Sequence, residues 1–295
     1  LEFGRLRGVT AISTEDWFGD EQAWQWSFYA AKLRCAAAKS GVEFGALIIP
    51  RTAGSRPDGI LQKLLTLIGS GGKVVKYFVF GPEYVFPGNC YSFKAELLPK
   101  MAEAHGLIGA AEDVLWPGKR PAGEVAIVMP RSSQMWDAKD VAIPTMIQDM
   151  TITAPWMHTV DYLAEVFGLY TALQHANITV DFLEEEDLAQ PAALGRYKVI
   201  YLTGPNLPFE FHAPLKQWVI NGGTLATVQN AASADRYDDP ADLLARLFKV
   251  RRHPTARLLV RNVTQLEPGA RVGTGPDEFA VVGPSGDMAA AGKPA

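Results

Sequence analysis

Apolar positions along this 295-residue chain recur with two periods that take turns. Residues 9–14 form a short β-branched run and predict a strand. Over residues 22–39 the apolar side chains fall at Trp26, Tyr29, Ala30, Leu33 and Ala37, the spacing of one helix face. Residues 44–49 are continuously apolar between Gly41 and Pro50, as in a strand buried on both sides. A helix over 59–68 follows, apolar at Ile60, Leu64, Leu65 and Ile68 and stopped by Gly71-Gly72. A strand over 73–80 and a helix over 97–107 complete the series. Strand and helix in alternation imply a parallel sheet with helices outside it.

Trp116-Pro117-Gly118-Lys119-Arg120-Pro121 interrupts both periods and marks a boundary. Beyond it the alternation resumes, with strands over 125–129, 178–183, 199–203 and 224–228. Helices are predicted over 159–176, 211–220 and 240–248, the second closed by Asn221-Gly222-Gly223. Short apolar strands separated by helices predict an open, doubly wound domain of flavodoxin-like type. Residues 256–263 and 278–282 alternate in a strand-like way, as the start of a small β domain or a tail would. The chain therefore divides into residues 1–120, 121–250 and 251–295.

Composition narrows the classes of function. Lys and Arg number 28 against 32 Asp and Glu, a net charge of −4, and no basic stripe favours nucleic acid. No apolar run approaches the ~20 residues of a membrane span. The first residues carry neither the charged nor the apolar region of a secretory leader, and the compartment stays open. Cys35 and Cys90 make no disulfide framework, and the five histidines are too dispersed for a paired metal-ligand motif. No metal and no cofactor is expected.

Candidate chemistry lies where strands end. Residues 9–20 run from a strand into Glu15, Asp16 and Trp17, with Trp24, Trp26, Phe28 and Tyr29 close behind. Carboxylates beside aromatic rings suit sugar binding and hydrolysis. The same residues also suit a capping loop followed by core aromatics. Successive strand residues point to opposite faces, so Glu15 and Asp16 cannot share one. Glu83, between Phe80 and Tyr84, reads equally as a site acid or a solvated loop residue. In the second half, Ser132 and Ser133 follow a strand as phosphate-binding serines would, but the glycines of such a loop are missing and no helix is predicted at once. Glu184-Glu185-Glu186-Asp187 reads as a solvated acidic turn before a helix. Neither cysteine lies in this half, which disfavours amidotransferase chemistry.

The order of segments resembles the latter part of a family 42 β-galactosidase-type glycoside hydrolase. The likeness rests on Val125-Ala126-Ile127-Val128, Tyr170-Thr171-Ala172-Leu173, Ile178-Thr179-Val180-Asp181, Tyr197-Lys198-Val199-Ile200 and 215–225, ending Asn221-Gly222-Gly223-Thr224-Leu225. It implies an α/β chain: the C-terminal part of a (β/α)8 barrel over 1–120, then a flavodoxin-like, amidotransferase-like trimerisation domain over 121–250. Residues 9–20, 44–50 and 74–80 would hold barrel strands six, seven and eight. The resemblance implies a β-linked sugar as substrate and assembly into a homo-oligomer, a trimer. Glu15, Asp16 and Glu83 would supply carboxylates, and Trp17, Trp24, Arg51 and Tyr84 would contact substrate. Two departures bear on catalysis. No Asn-Glu pair, the family's acid/base signature, occurs in this sequence, and Pro50-Arg51 stands where the family ends strand seven with its nucleophilic glutamate. A carbohydrate-binding or assembly protein on the same fold is the alternative reading. Three barrel strands leave open sheet edges, so the chain by itself is expected to be inactive and to aggregate.

Overall fold

The computed structural model describes residues 7–16, 23–50, 57–81, 95–137, 161–227, 231–243, 246, 271–272 and 279–280. The first unit is a parallel sheet in the order β1 (Ala11–Asp16), β2 (Glu43–Ile48), β3 (Val74–Tyr77). Helices α1 (Ala23–Ser40), α2 (Pro57–Gly69) and α3 (Leu97–Ala110) connect and follow these strands, and α4 (Glu112–Leu115) comes directly after α3. The predicted elements are present, with ends moved by a few residues. The first strand shifts by two residues to Ala11–Asp16, and the third is shortened from the predicted 73–80 to Val74–Tyr77.

Alternation divides the side chains of this sheet. Ile12, Phe44, Ala46 and Ile48 are buried against Trp26, Leu33, Leu64, Leu67 and Met101 of the helices. The opposite face stays open: Ala11, Ser13, Glu15 and Lys76 are exposed and Leu47 is half-buried. Within the run of β2 predicted as buried on both sides, Phe44, Gly45, Ala46, Ile48 and Ile49 are buried and Leu47 is half-buried. Gly45 lies on this open side, where a Cβ would come within 2.1 Å of the Val74 carbonyl oxygen. Glycine lets β2 and β3 approach there.

The second sheet is also all parallel, in the order β5 (Val180–Leu183), β4 (Val125–Val128), β6 (Val199–Leu202), β7 (Thr224–Thr227). Ile127, Val180 and Phe182 face α6 (Asp161–His175). Ala126, Val128, Ile200 and Leu202 face Leu194 of α7 (Pro191–Leu194) and Leu215 and Trp218 of α8 (His212–Ile220). A two-stranded antiparallel pair, β8 (Arg271–Val272) and β9 (Phe279–Ala280), lies in the last segment, and the other residues of 256–263 and 278–282 fall outside the described ones. Of the helix predicted over 240–248, residues 244, 245, 247 and 248 fall outside the described ones, and Pro240 forms an isolated bridge with Ala234, so that helix is seen only from Leu243.

Helix α1 belongs to both units. One face (Trp26, Leu33, Ala36, Ala37) packs on the first sheet, and the indole of Trp26 donates to the Lys63 carbonyl at 2.9 Å. The other (Phe28, Ala31, Cys35) enters the core of the second sheet, where the Phe28 ring centroid is 4.0 Å from Phe167 and 5.1 Å from Phe182. Because opposite faces are both apolar, α1 has no single stripe, the mark of a helix enclosed by protein.

Candidate functional site

The C-terminal ends of parallel strands are where α/β folds carry their sites. Parallel register places Glu15 beside Leu47, and Leu47 beside Lys76, in one row across the open face of the first sheet. Strands lie 4.7–4.9 Å apart, so the backbones of Glu15 and Lys76 are roughly 10 Å apart. Ser13 precedes Glu15 on the same face and is exposed. The next row is Asp16, Ile48 and Tyr77. Tyr77 turns to the helix layer, where its hydroxyl lies 2.7 Å from Nε2 of His105. Beyond β3 the chain passes through a cis Phe78–Val79 peptide to an exposed Phe80.

Of the residues singled out from the sequence, Glu15 is exposed at this rim. Asp16 ends β1 and Trp24 belongs to α1, but their side chains lie outside the described residues. Trp17, Arg51, Glu83 and Tyr84 lie outside them altogether. Trp26 and Phe28, read beside them as possible pocket rings, are buried core residues. Lys76 was missed. Its signal is a single cation in the apolar strand Val74–Tyr77, at the position that shares a face with Glu15. Among the described side chains this rim offers one carboxylate, one ammonium and a hydroxyl. That set can bind a polyol, but double displacement needs a second carboxyl about 5–5.5 Å away.

The second sheet has its own crevice, at the ends of β4 and β6. It is closed. The Ser133 hydroxyl donates to the Asn206 carbonyl at 2.8 Å and accepts from the Asn206 amide at 2.9 Å. A Cβ on Gly204 would come within 2.3 Å of Ser133 Oγ. Ser132 is held through its amide and hydroxyl by Glu185, at 3.1 and 3.2 Å. Contrary to the sequence reading, α5 (Arg131–Asp137) begins directly after this strand.

The acidic run is also corrected. Glu184, Glu185 and Asp187 are buried, not solvated: Glu184 caps a 3-10 segment (Glu185–Ala189) that holds the other two. The reason is a set of partners remote in sequence. Lys39 of α1 lies 2.7 Å from Glu184 and 2.6 Å from Asp187, while Arg131 pairs with Glu186. Beside it, buried Asp181 accepts from Arg34 at 2.8 Å and Arg196 at 3.0 Å. The Cys35 thiol is enclosed here and burial pushes its pKa up, the opposite of a poised nucleophile. No helix among the described residues is long and apolar enough to cross a membrane, and no three metal-ligating side chains cluster among them.

No protein-family model matches the chain, and no curated protein matches its sequence. Solved structures do. Two structures of Gan42B, a GH42 β-galactosidase from G. stearothermophilus, one of them a catalytic mutant, align with TM-score 0.59 at 17% identity. The alignment covers 81% of this chain and 35% of theirs. The fold is glycoside-hydrolase-like. An exo-β-1,4-mannosidase from Opitutaceae bacterium strain TAV5 aligns with TM-score 0.45 at 17% identity, covering 75% of this chain and 40% of that one. The chain thus spans about a third of the length of the β-galactosidases it matches.

Proposed function

We propose that the chain is part of a glycoside hydrolase related to β-galactosidases and contacts a β-linked sugar at the C-terminal rim of its first sheet. The observation that carries this reading is the position of Glu15, exposed at the end of a parallel strand in a glycoside-hydrolase-like sheet. Ser13, Glu15 and Lys76 supply hydrogen-bonding groups on one face, and half-buried Leu47 gives them an apolar floor. Neutral sugars are held by such mixed sets. The second sheet, with helices on both faces and its crevice closed by Ser133 and Asn206, is read as a flavodoxin-like assembly domain with no ligand in that crevice.

One observation favours binding over catalysis as the alternative. Pro50 closely follows β2, and residue 51 is an arginine where a retaining enzyme of this type would end the strand in a carboxylate. Calorimetric titration of the chain with lactose tests the common core of both readings. Saturable binding that weakens about tenfold or more in Glu15→Gln is expected, from loss of a charge-assisted hydrogen bond. Binding that Glu15→Gln leaves unchanged would remove the rim from the account.

A further inference from the structure

A cavity lies at the other end of the strands, between the first sheet's underside and the second unit. Its volume is about 850 Å³, and the boundary segment from Trp116 to Ala122 runs along it. Small side chains make the room: Ala37 and Ala38 of α1 on one side, Ala192 and Ala193 of α7 on the other. Arg34, Cys35 and Asp181 line it as well.

Charge is unbalanced here. Six cationic side chains line the cavity (Arg34, Lys39, Lys73, Lys119, Arg120, Arg196) against three acidic ones (Glu43, Asp181, Asp187). Adjoining Glu184 takes part of Lys39. The C-terminal ends of α1 and α2 open toward the cavity and contribute about half a negative charge each. A positive excess of about one charge remains after these terms. The cations differ in what they do. Arg34, Lys39 and Arg196 neutralise Asp181 and Asp187, and Lys73 donates to the carbonyls of Leu115 and Gly118. Lys119 and Arg120 make no ion pair among the described residues, and the buried Arg34 Nε has no hydrogen-bond partner. Next to them Trp116 is 62% exposed, with the Lys73 ammonium 5.7 Å from its ring centroid.

We infer that this inter-unit cavity binds a small carboxylated sugar, its ring against Trp116 and its carboxylate between Lys119 and Arg120. A largely exposed indole matches the apolar face of a pyranose ring, and two adjacent cations match an anion. Acetate would meet the charge without the stack, and a neutral hexose the stack without the charge. The site is distinct from the Glu15 rim, which lies at the opposite ends of the same strands.

Calorimetric titration of the full chain with D-glucuronate, D-glucose and acetate tests this. The expected result is saturable glucuronate binding, about tenfold tighter than either control, since each tenfold step is a small free-energy difference. Trp116→Ala and the double variant Lys119→Ala/Arg120→Ala should each weaken it by about the same factor, while Glu15→Gln leaves it unchanged. These substitutions fall on a boundary segment outside regular strands, and unchanged circular dichroism verifies the fold. Absence of saturation by about 10 mM would overturn the inference, as would equal binding of glucose or acetate. So would indifference to the Trp116 and Lys119/Arg120 variants, or loss of binding in Glu15→Gln.

Discussion

Lys32 sits on α1 with its ammonium 5.2 Å from the Phe28 ring centroid and 5.4 Å from that of Tyr29. Burial lowers its pKa to about 8 from an ordinary 10.5. The folded state therefore prefers the neutral amine, and holding the charged form costs stability below pH 8. That cost disappears as pH rises from 8 toward 10.5, where the unfolded chain releases its proton as well. Lys32→Met is expected to raise the melting temperature by a few degrees at pH 7, with the gain shrinking steadily toward pH 10. A gain that does not change between pH 7 and 10 would contradict the assignment. At this scale sequence reasoning succeeded with Leu33 and Leu64, placed on apolar helix faces and buried, and failed with Glu184, Glu185 and Asp187. Their burial depends on Lys39 and Ser132, remote in sequence, so local polarity pointed the wrong way.

Among the elements, α1 is the one that joins the two sheets. Its apolar spacing at Trp26, Tyr29, Leu33 and Ala37 was legible because it follows one helix face. The second face at Phe28, Ala31 and Cys35 was not, since its partners Phe167 and Phe182 stand some 140 residues or more further along the chain. Polar contacts reinforce that junction. Arg34 donates to the Val180 carbonyl at 3.0 Å and pairs with Asp181, and the Phe182 amide donates to Cys35 Sγ at 3.3 Å. Removing one partner of a buried pair leaves the other charge uncompensated, a cost of about 3–5 kcal/mol. Arg196 is half open to water and recovers solvation, so Asp181→Ala should lose about 3 kcal/mol in urea denaturation. Both units should unfold in one transition in the unsubstituted chain, because they share a helix core. Two separated transitions, or a loss below about 1 kcal/mol for Asp181→Ala, would show that the junction contributes little.

The whole molecule is two parallel sheets with α1 between them, and each sheet presents its strand ends differently. The second closes its crevice with Ser133 and Asn206. The first leaves a face open along Ser13, Glu15 and Lys76. The alternating pattern of strands and helices was enough to predict parallel sheets. It did not show that Lys76 joins Glu15, since only the register of three strands puts them in one row. The central claim is that this row is the sugar-contacting surface. Methyl NMR of the chain during titration with lactose tests it most directly, because Leu47 lies between Glu15 and Lys76 while Leu202 is buried in the second sheet. The account predicts that the Leu47 methyls shift saturably and those of Leu202 stay in place. Leu47 methyls that remain unmoved at saturation would contradict it.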